Sequence, residues 1–380
     1  MARSSKSPAT VSRVAIVADW LTTPGGAERV IVALHKAYPK APIFTSVYDA
    51  SKFPDLKNAD VRTMWLQHLP RKLRNYHQLF PVFRAFAFKR LDVSDYDIVI
   101  TSASAEAKAI RVAPGAVQLC YCHTPIRYYW SHYNEYRRTP GFGILDPLIK
   151  TLIPPFVRWM RKFDLESVSG VTAFMANSSV VKKRIKKYYR RDATTIFPPI
   201  DTTRMRPKKL PVKEDFYLVV GRQIPYKRTD LAIKAANKLG KRLVIIGTGS
   251  EHEKLMAMAG PTVEFKTGVN DQEIVQYFQQ AKALLWPQVE DFGITAVEAM
   301  AAGTPVIAYQ KAGALDYMID GKTGLFFAEQ TVDSLVHALH RFEKTTFDSA
   351  LLMRHAEKFS EERFIQEIHK FVIAHTPRPN

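Results

Sequence analysis

Short apolar runs and helix-patterned stretches alternate along this chain. Residues 13–20 (RVAIVADW), 96–104 (YDIVITSAS), 117–122 (VQLCYC), 215–222 (DFYLVVGR) and 306–309 (VIAY) are nearly continuous apolar runs, the pattern of buried strands. Between them, apolar residues recur at helical spacing: PGGAERVIVALHKAY from residue 24, DQEIVQYF from 271, ITAVEAMAA from 294 and EERFIQEIHKFVIA at 361–374. Alternation of this kind over 380 residues predicts an α/β chain long enough for two domains. The proline- and charge-rich segment 194–211 (TTIFPPIDTTRMRPKKLP) reads as a stiff linker. The expected domains are therefore 1–198 and 199–360, with a last helical piece at 361–380.

Charge divides the chain unevenly. Residues 1–200 hold 31 Lys/Arg against 14 Asp/Glu, a net of +17, and residues 201–380 hold 24 against 22, a net of +2. An anionic surface is expected to meet the first half. Residues 71–90 carry six cations and no acid, interleaved with Tyr76, Phe80, Phe83, Phe86 and Phe88. That is the pattern of a segment lying on a membrane surface, or of a helix with aromatics in the core and cations in water. Seven of residues 182–191 are basic, either a solvated face or a contact for lipid phosphate. No nucleic-acid-binding motif accompanies the charge. No apolar run reaches the length of a membrane span; the best, ILDPLIKTLIPPFVRWM, is interrupted by Asp146, Lys150 and three prolines. Residues 136–164 read as a proline-broken, acceptor-facing surface, and residues 1–12 as a loose tail without a signal peptide. Cys120 and Cys122 share one strand face, a poor disulfide geometry that favours a reducing compartment.

The chemistry concentrates in residues 289–309, VEDFGITAVEAMAAGTPVIAY. Gly293 lets backbone approach a ligand, and the helix after it aims free amides and a positive dipole end at phosphate. Glu290 and Glu298 flank this anion site, and carboxylates repel phosphate. Accepting hydrogen bonds from vicinal hydroxyls gives them a part. A nucleotide-sugar, with diphosphate and hydroxyls together, meets both demands. Read as an ordinary α/β helix, the same acids are merely solvated. Arg222 and Lys227, at a strand-to-helix turn, suit a diphosphate as fork and point charge, or belong to an ordinary surface loop. His123 ends a strand and points to where open α/β sheets bind ligands, or is a core histidine whose ring is satisfied. Gly25-Gly26 sits between first strand and first helix, the usual place for a phosphate approach. The triplet Asp95-Tyr96-Asp97 precedes its strand, so it reads as turn chemistry rather than a metal site.

Glu290, seven residues, then Glu298, with Phe292-Gly293 between and AMAAGTPVIA behind, resembles the family 4 glycosyltransferases. The G-R-x(4)-K pattern at Gly221, Arg222 and Lys227 is similar to theirs, as is FPPID. HTPIRYYW followed by YNEY resembles the family's mannosyltransferases of polysaccharide assembly. The resemblance implies the GT-B fold, two facing Rossmann-like domains with the last helix crossing back to the first. It implies sugar transfer with retention, with His123, Arg222, Lys227 and Glu290 as the catalytic set. Donor binding would fall to Gly25, Gly26, Gly221, Val269, Asp271, Phe292, Gly293, Ile294 and Glu298, and Glu28 follows the pattern beside the glycine pair. Asp271 at the base turn suggests guanine, or it simply caps the helix behind it. Ala312-Gly313 and Asp316 depart from the family's glycine pair and glutamate. The expectation is mannose moved from GDP-mannose to a lipid-linked saccharide, by a peripheral protein on the cytoplasmic membrane face, without cofactor or metal and without nucleic acid. Two alternatives stand: a nucleotide-sugar epimerase of the same architecture, and a non-enzymatic protein binding anionic polymers.

Overall fold

A computed structural model describes residues 12–70, 74, 80–131, 133–138, 146–209 and 212–376. The chain forms two compact units. The first runs to Asn177, takes in Val181–Ile196 and ends with the chain from Ile365; the second is Ser178–Val180 and Phe197–Phe364.

The first unit is built on seven parallel strands: β1 Val14–Ala18, β2 Ile43–Thr45, β3 Val61–Thr63, β4 Ile98–Ala103, β5 Val117–Cys122, β6 Ala173–Ala176 and β7 Ala193–Thr195, in the order β3-β2-β1-β4-β5-β6-β7. The second has six: β8 Tyr217–Val220, β9 Leu243–Ile246, β10 Val263–Lys266, β11 Ala283–Trp286, β12 Val306–Tyr309 and β13 Gly324–Phe327, ordered β10-β9-β8-β11-β12-β13. Each apolar run noted above forms a strand. In both sheets the order reverses after the first strand, between β1 and β4 and between β8 and β11. A crevice opens at such a reversal, beyond the strands' carboxyl ends.

Alternation along the strands of the second unit feeds two cores. Leu218, Val244, Leu284 and Val306 face the helix Ile294–Ala301, which buries Ala296, Val297, Ala299 and Met300 against them. Val219, Ile245, Leu285 and Ile307 face the opposite way, under the helices Thr229–Leu239 and Val332–Phe342. Just beyond Phe342, Glu343 ties this side together, accepting from Tyr217 Oη (2.8 Å) and pairing with Lys241 (2.9 Å) and Lys282 (2.7 Å). Burial alone would raise its pKa, but the hydrogen bonds from Lys282, Lys241 and Tyr217 outweigh that and bring it to about 2. A carboxyl whose folded pKa lies below its unfolded value stabilises above the unfolded pKa, and that stability fades as pH falls towards the folded one. Glu343→Gln should therefore cost roughly 1–2 kcal/mol at neutral pH, after discounting for partial exposure. Its deficit should shrink between about pH 4.5 and 2. Chemical denaturation of both proteins across that range measures this; a deficit independent of pH would refute it.

Three expectations change. Segment 194–211 contains the division between the units, at Ile196 and Phe197, but is not extended throughout: β7 takes Ala193–Thr195, and Asp201 caps a short helix, Thr202–Met205, by accepting from the Arg204 amide (2.9 Å). Ile200, Thr202 and Met205 are buried, so an N-cap and apolar anchors fold what charge and proline made look extended. Of the proline-broken stretch 136–164, residues 136–138 end the helix Tyr133–Arg138, 139–145 lie outside the described residues, and the remainder belongs to the helix Asp146–Ser169, with Pro154 and Pro155 inside it. Tertiary packing overrides the proline penalty there: Val157 and Met160 are buried, and Arg161 Nε donates to the Tyr129 carbonyl (2.6 Å). Among the described residues no helix is long and apolar enough to cross a membrane. The third change concerns residues 71–90, of which 71–73 and 75–79, Tyr76 included, lie outside the described residues. In the helix Pro81–Lys89 neither arrangement of aromatics and cations holds throughout: Phe88 is buried, Phe83 and Phe86 are exposed, and Arg84 is wholly buried against Glu106 (2.9 Å).

Candidate active site

At the reversal of the second sheet, β8 and β11 deliver the candidate residues side by side. Gly221 and Arg222 follow β8, and Arg222 is exposed with no ion-pair partner among the described residues. The turn Pro225–Lys227 comes next. Lys227 Nζ pairs with Glu290 Oε1, the two side chains 16% and 17% exposed. The same ammonium lies 5.4 Å from the Trp286 ring and 5.6 Å from that of Tyr226, an aromatic flank that favours a cation. Glu290 is itself held from behind, its carbonyl accepting from the Gly313 amide (3.0 Å). That approach requires glycine, because a Cβ at Gly313 would sit 2.2 Å from the Phe292 carbonyl oxygen. Its neighbour Ala312 adopts a left-handed φ of 56°, a conformation that glycine takes more cheaply. Alanine in place of the family's first glycine thus keeps the turn, and Asp316 follows within the short helix Ala314–Tyr317.

Gly293 caps the helix Ile294–Ala301 with φ 109°, and a Cβ there would lie 2.8 Å from Tyr317 Oη. Among the described residues the buried Tyr317 Oη has no hydrogen-bond partner, and burial, with Glu290 and Asp316 nearby, pushes its pKa well up. Ile294 opens the helix and packs on the core, and Glu298 stands in its second turn, almost buried. The Phe292 ring packs in the core, 5.5 Å from Phe197 and 5.4 Å from Tyr317, so it braces the loop. Val269 is half-buried on the same core. Asp271 is not the cap of its helix. Asn270 is, in a capping box with Glu273, which leaves the Asp271 side chain 85% exposed.

Sequence reasoning missed Arg204. Its guanidinium stands 3.3 Å from Asp271 and 3.5 Å from Glu298, joining two residues picked out separately from the sequence. The signal available was the N-cap pattern Asp201-Thr-Thr-Arg204, hidden in what read as a linker.

In the first unit, Gly25 is the N-cap and Gly26 the first residue of the helix Gly26–Ala37, both exposed, with Glu28 close beside Gly25. His123 follows β5; its Nε2 lies 2.8 Å from Ser102 Oγ and its carbonyl accepts from Asn177 (3.0 Å). At that sheet's reversal Asp19 takes the amides of Ser104 (2.6 Å), Ala105 and Ala107 (both 2.8 Å). Asp97 lies at the opposite, amino end of β4, where its carboxylate accepts from the Arg13 amide (2.7 Å). Cys120 and Cys122 are free and buried, and burial raises the Cys120 thiol to about 11. Among the described residues no cluster of His, Cys, Asp or Glu could hold a metal.

Two Rossmann-like units, the second with cations, a paired carboxylate and a helix end near its sheet reversal, have the GT-B architecture. Residues 201–362 match the family model described as glycosyl transferases group 1, and residues 24–204 that of glycosyltransferase family 4. The chain belongs to the family 4 glycosyltransferases. It is 34% identical over 153 residues to D-inositol 3-phosphate glycosyltransferase of Acidothermus cellulolyticus, covering 35% of this chain and 34% of that protein. It is 29% identical over 170 residues to the GDP-mannose-dependent alpha-(1-6)-phosphatidylinositol monomannoside mannosyltransferase of Mycolicibacterium smegmatis, covering 37% and 44%. The matches thus span a third to a half of these relatives. The crystal structure of Anabaena HepE in complex with UDP and glucose has the same fold, with TM-score 0.69, 15% identity, and 96% and 100% of the two chains covered.

Proposed function

We propose that this glycosyltransferase moves mannose, with retention, from GDP-mannose to a lipid-linked saccharide at an anionic membrane surface. The observation that carries the reading is the Lys227–Glu290 pair at the sheet reversal beside the N-terminus of the helix Ile294–Ala301. Lys227 and Arg222 neutralise the donor diphosphate as the sugar bond breaks, and the helix end adds amide donors. Glu290 accepts from hydroxyls of the transferred sugar, and Glu298 from those of the ribose. No metal is called for, since two cations already supply the countercharge. Guanine is supported by Asp271 at the base turn and, at a distance, by the GDP-mannose-dependent relative.

Transfer of labelled sugar to lipid-linked acceptors, from GDP-mannose and from UDP-hexoses, tests this. GDP-mannose should be used, and activity should survive EDTA. Use of UDP-sugars alone would defeat the donor assignment, and loss on chelation restored by manganese would defeat metal independence.

Membrane contact is supported by exposed apolar side chains of the first unit. Trp65, Phe83 and Phe86 are exposed together, Trp65 edge-on to Phe83 (6.1 Å), and the guanidinium of Arg90 lies 3.8 Å from the Phe86 ring. The helix Pro81–Lys89 shares a small core with Asp146–Ser169, which exposes Leu152, Phe156 and Trp159. Aromatic anchors among cations fit an interfacial surface, where each Lys/Arg near anionic lipid contributes about 1 kcal/mol. Flotation with liposomes should require anionic lipid, weaken with salt, and fall severalfold in Phe83→Ser/Trp159→Ser. Flotation indifferent to all three would sink the membrane assignment.

A further inference from the structure

We infer that Arg204 reads the donor base, forming with Asp271 a two-residue determinant for guanine. This inference rests on the GDP reading above and adds the residue that selects the base. The helix Thr202–Met205 is fixed by the Asp201 cap and by buried Thr202 and Met205, so its position is set by the fold. From it the Arg204 side chain, 35% exposed, reaches Asp271 (3.3 Å) and Glu298 (3.5 Å), with Asp201 at 4.0 Å. Neither main contact is a tight fork-to-fork pair, so the guanidinium retains donors for a ligand. If Glu298 holds the ribose, the base one bond away falls at the guanidinium and Asp271.

An arginine beside a carboxylate is a pattern that bases match unequally. Guanine presents an acceptor, O6, next to two donors, N1–H and the N2 amine. Arg204 donates to the first and Asp271 accepts from the others. Adenine presents the reverse order at the same edge, an amine donor then the N1 acceptor, so each meets a group of its own kind. Uracil matches O4 and N3–H but turns its O2 acceptor where the carboxylate needs a donor. The neighbouring Glu298 carboxylate, 8% exposed, is costly to bury alone, and Arg204 offsets that cost. A purely supporting role for Arg204 would therefore affect every nucleotide alike, whereas base reading would not.

Calorimetric titration with GDP, ADP and UDP separates the two. Wild-type protein should bind GDP most tightly. Arg204→Ala should weaken GDP between roughly five- and hundredfold, the discrimination one good side-chain pair supplies. ADP should weaken severalfold less than GDP, by only the part that loss of the Arg204–Glu298 contact costs every nucleotide, since Arg204 opposes the adenine amine. Arg204→Lys keeps the charge without the planar fork and should fall between wild type and alanine for GDP. Melting temperatures of the unliganded proteins confirm that each variant is folded. GDP and ADP weakening in equal proportion would overturn the inference and leave the donor reading intact, as would GDP binding unchanged by Arg204→Ala. Wild-type protein binding UDP or ADP as tightly as GDP would overturn the donor reading, and the base-reading role with it, before any variant is measured.

Discussion

Lys227→Ala should turn over at about one-hundredth to one-thousandth of the wild-type rate at saturating donor. Negative charge builds on the bridging phosphate oxygen as the glycosidic bond breaks, so a fixed cation helps the transition state more than the bound substrate. Lys227 is fixed: its ammonium lies within about 6 Å of both the Tyr226 (5.6 Å) and Trp286 (5.4 Å) rings and against Glu290, only 16% exposed. Its removal also leaves the half-buried Glu290 carboxylate without its cation. Arg222→Ala should act in the same direction but less strongly, because Arg222 is exposed and its charge is better screened. Glu298 is assigned to the ribose, remote from the breaking bond, so Glu298→Gln should chiefly raise the donor KM, the mark of lost uniform binding. Steady-state kinetics on the three folded variants decides this. Normal turnover in Lys227→Ala, with turnover lost at unchanged KM in Glu298→Gln, would reverse the assignment.

Five of the strands were legible because parallel strands covered on both faces are nearly continuously apolar, and β4 and β5 are buried at every position. The helix carrying Glu298 was legible because its loop, glycine and acids are adjacent in sequence. What could not be read was whatever depended on distant residues meeting. Lys227 and Glu290 stand 63 positions apart, and each suggested a ligand contact without suggesting the other. Arg204 was lost among the charges of a supposed linker, since nothing local tells a cation aimed at two carboxylates from one aimed at water. The Asp271 helix shows a local misreading: Asn270 and Glu273 were visible at capping-box spacing, yet the neighbouring aspartate drew the attention. In the basic segment, counting charges could not show which cation turns inward, and there the consequence is energetic.

Arg84→Ala should destabilise the first unit by about 3–5 kcal/mol, because it strands a buried carboxylate. Arg84 and Glu106 are both wholly buried, 2.9 Å apart, and the guanidinium also faces the Trp20 ring at 5.2 Å. Burial already pushes the Glu106 pKa upward even with Arg84 in place, and the charge of Asp19 adds to it. Without Arg84 the carboxyl has still more reason to hold a proton. A carboxyl with a raised folded pKa favours the folded state below its unfolded pKa, and that advantage is lost as pH rises through the folded value. The deficit of Arg84→Ala should therefore be smallest near pH 4 and grow towards neutrality. Arg84→Met with Glu106→Leu removes both charges while keeping much of the volume, and should recover most of the loss. Denaturation of the single and double variants at two pH values gives the coupling directly. A double variant as unstable as Arg84→Ala, with a deficit unchanged by pH, would show that the arginine matters for its packing against Trp20 rather than for its charge.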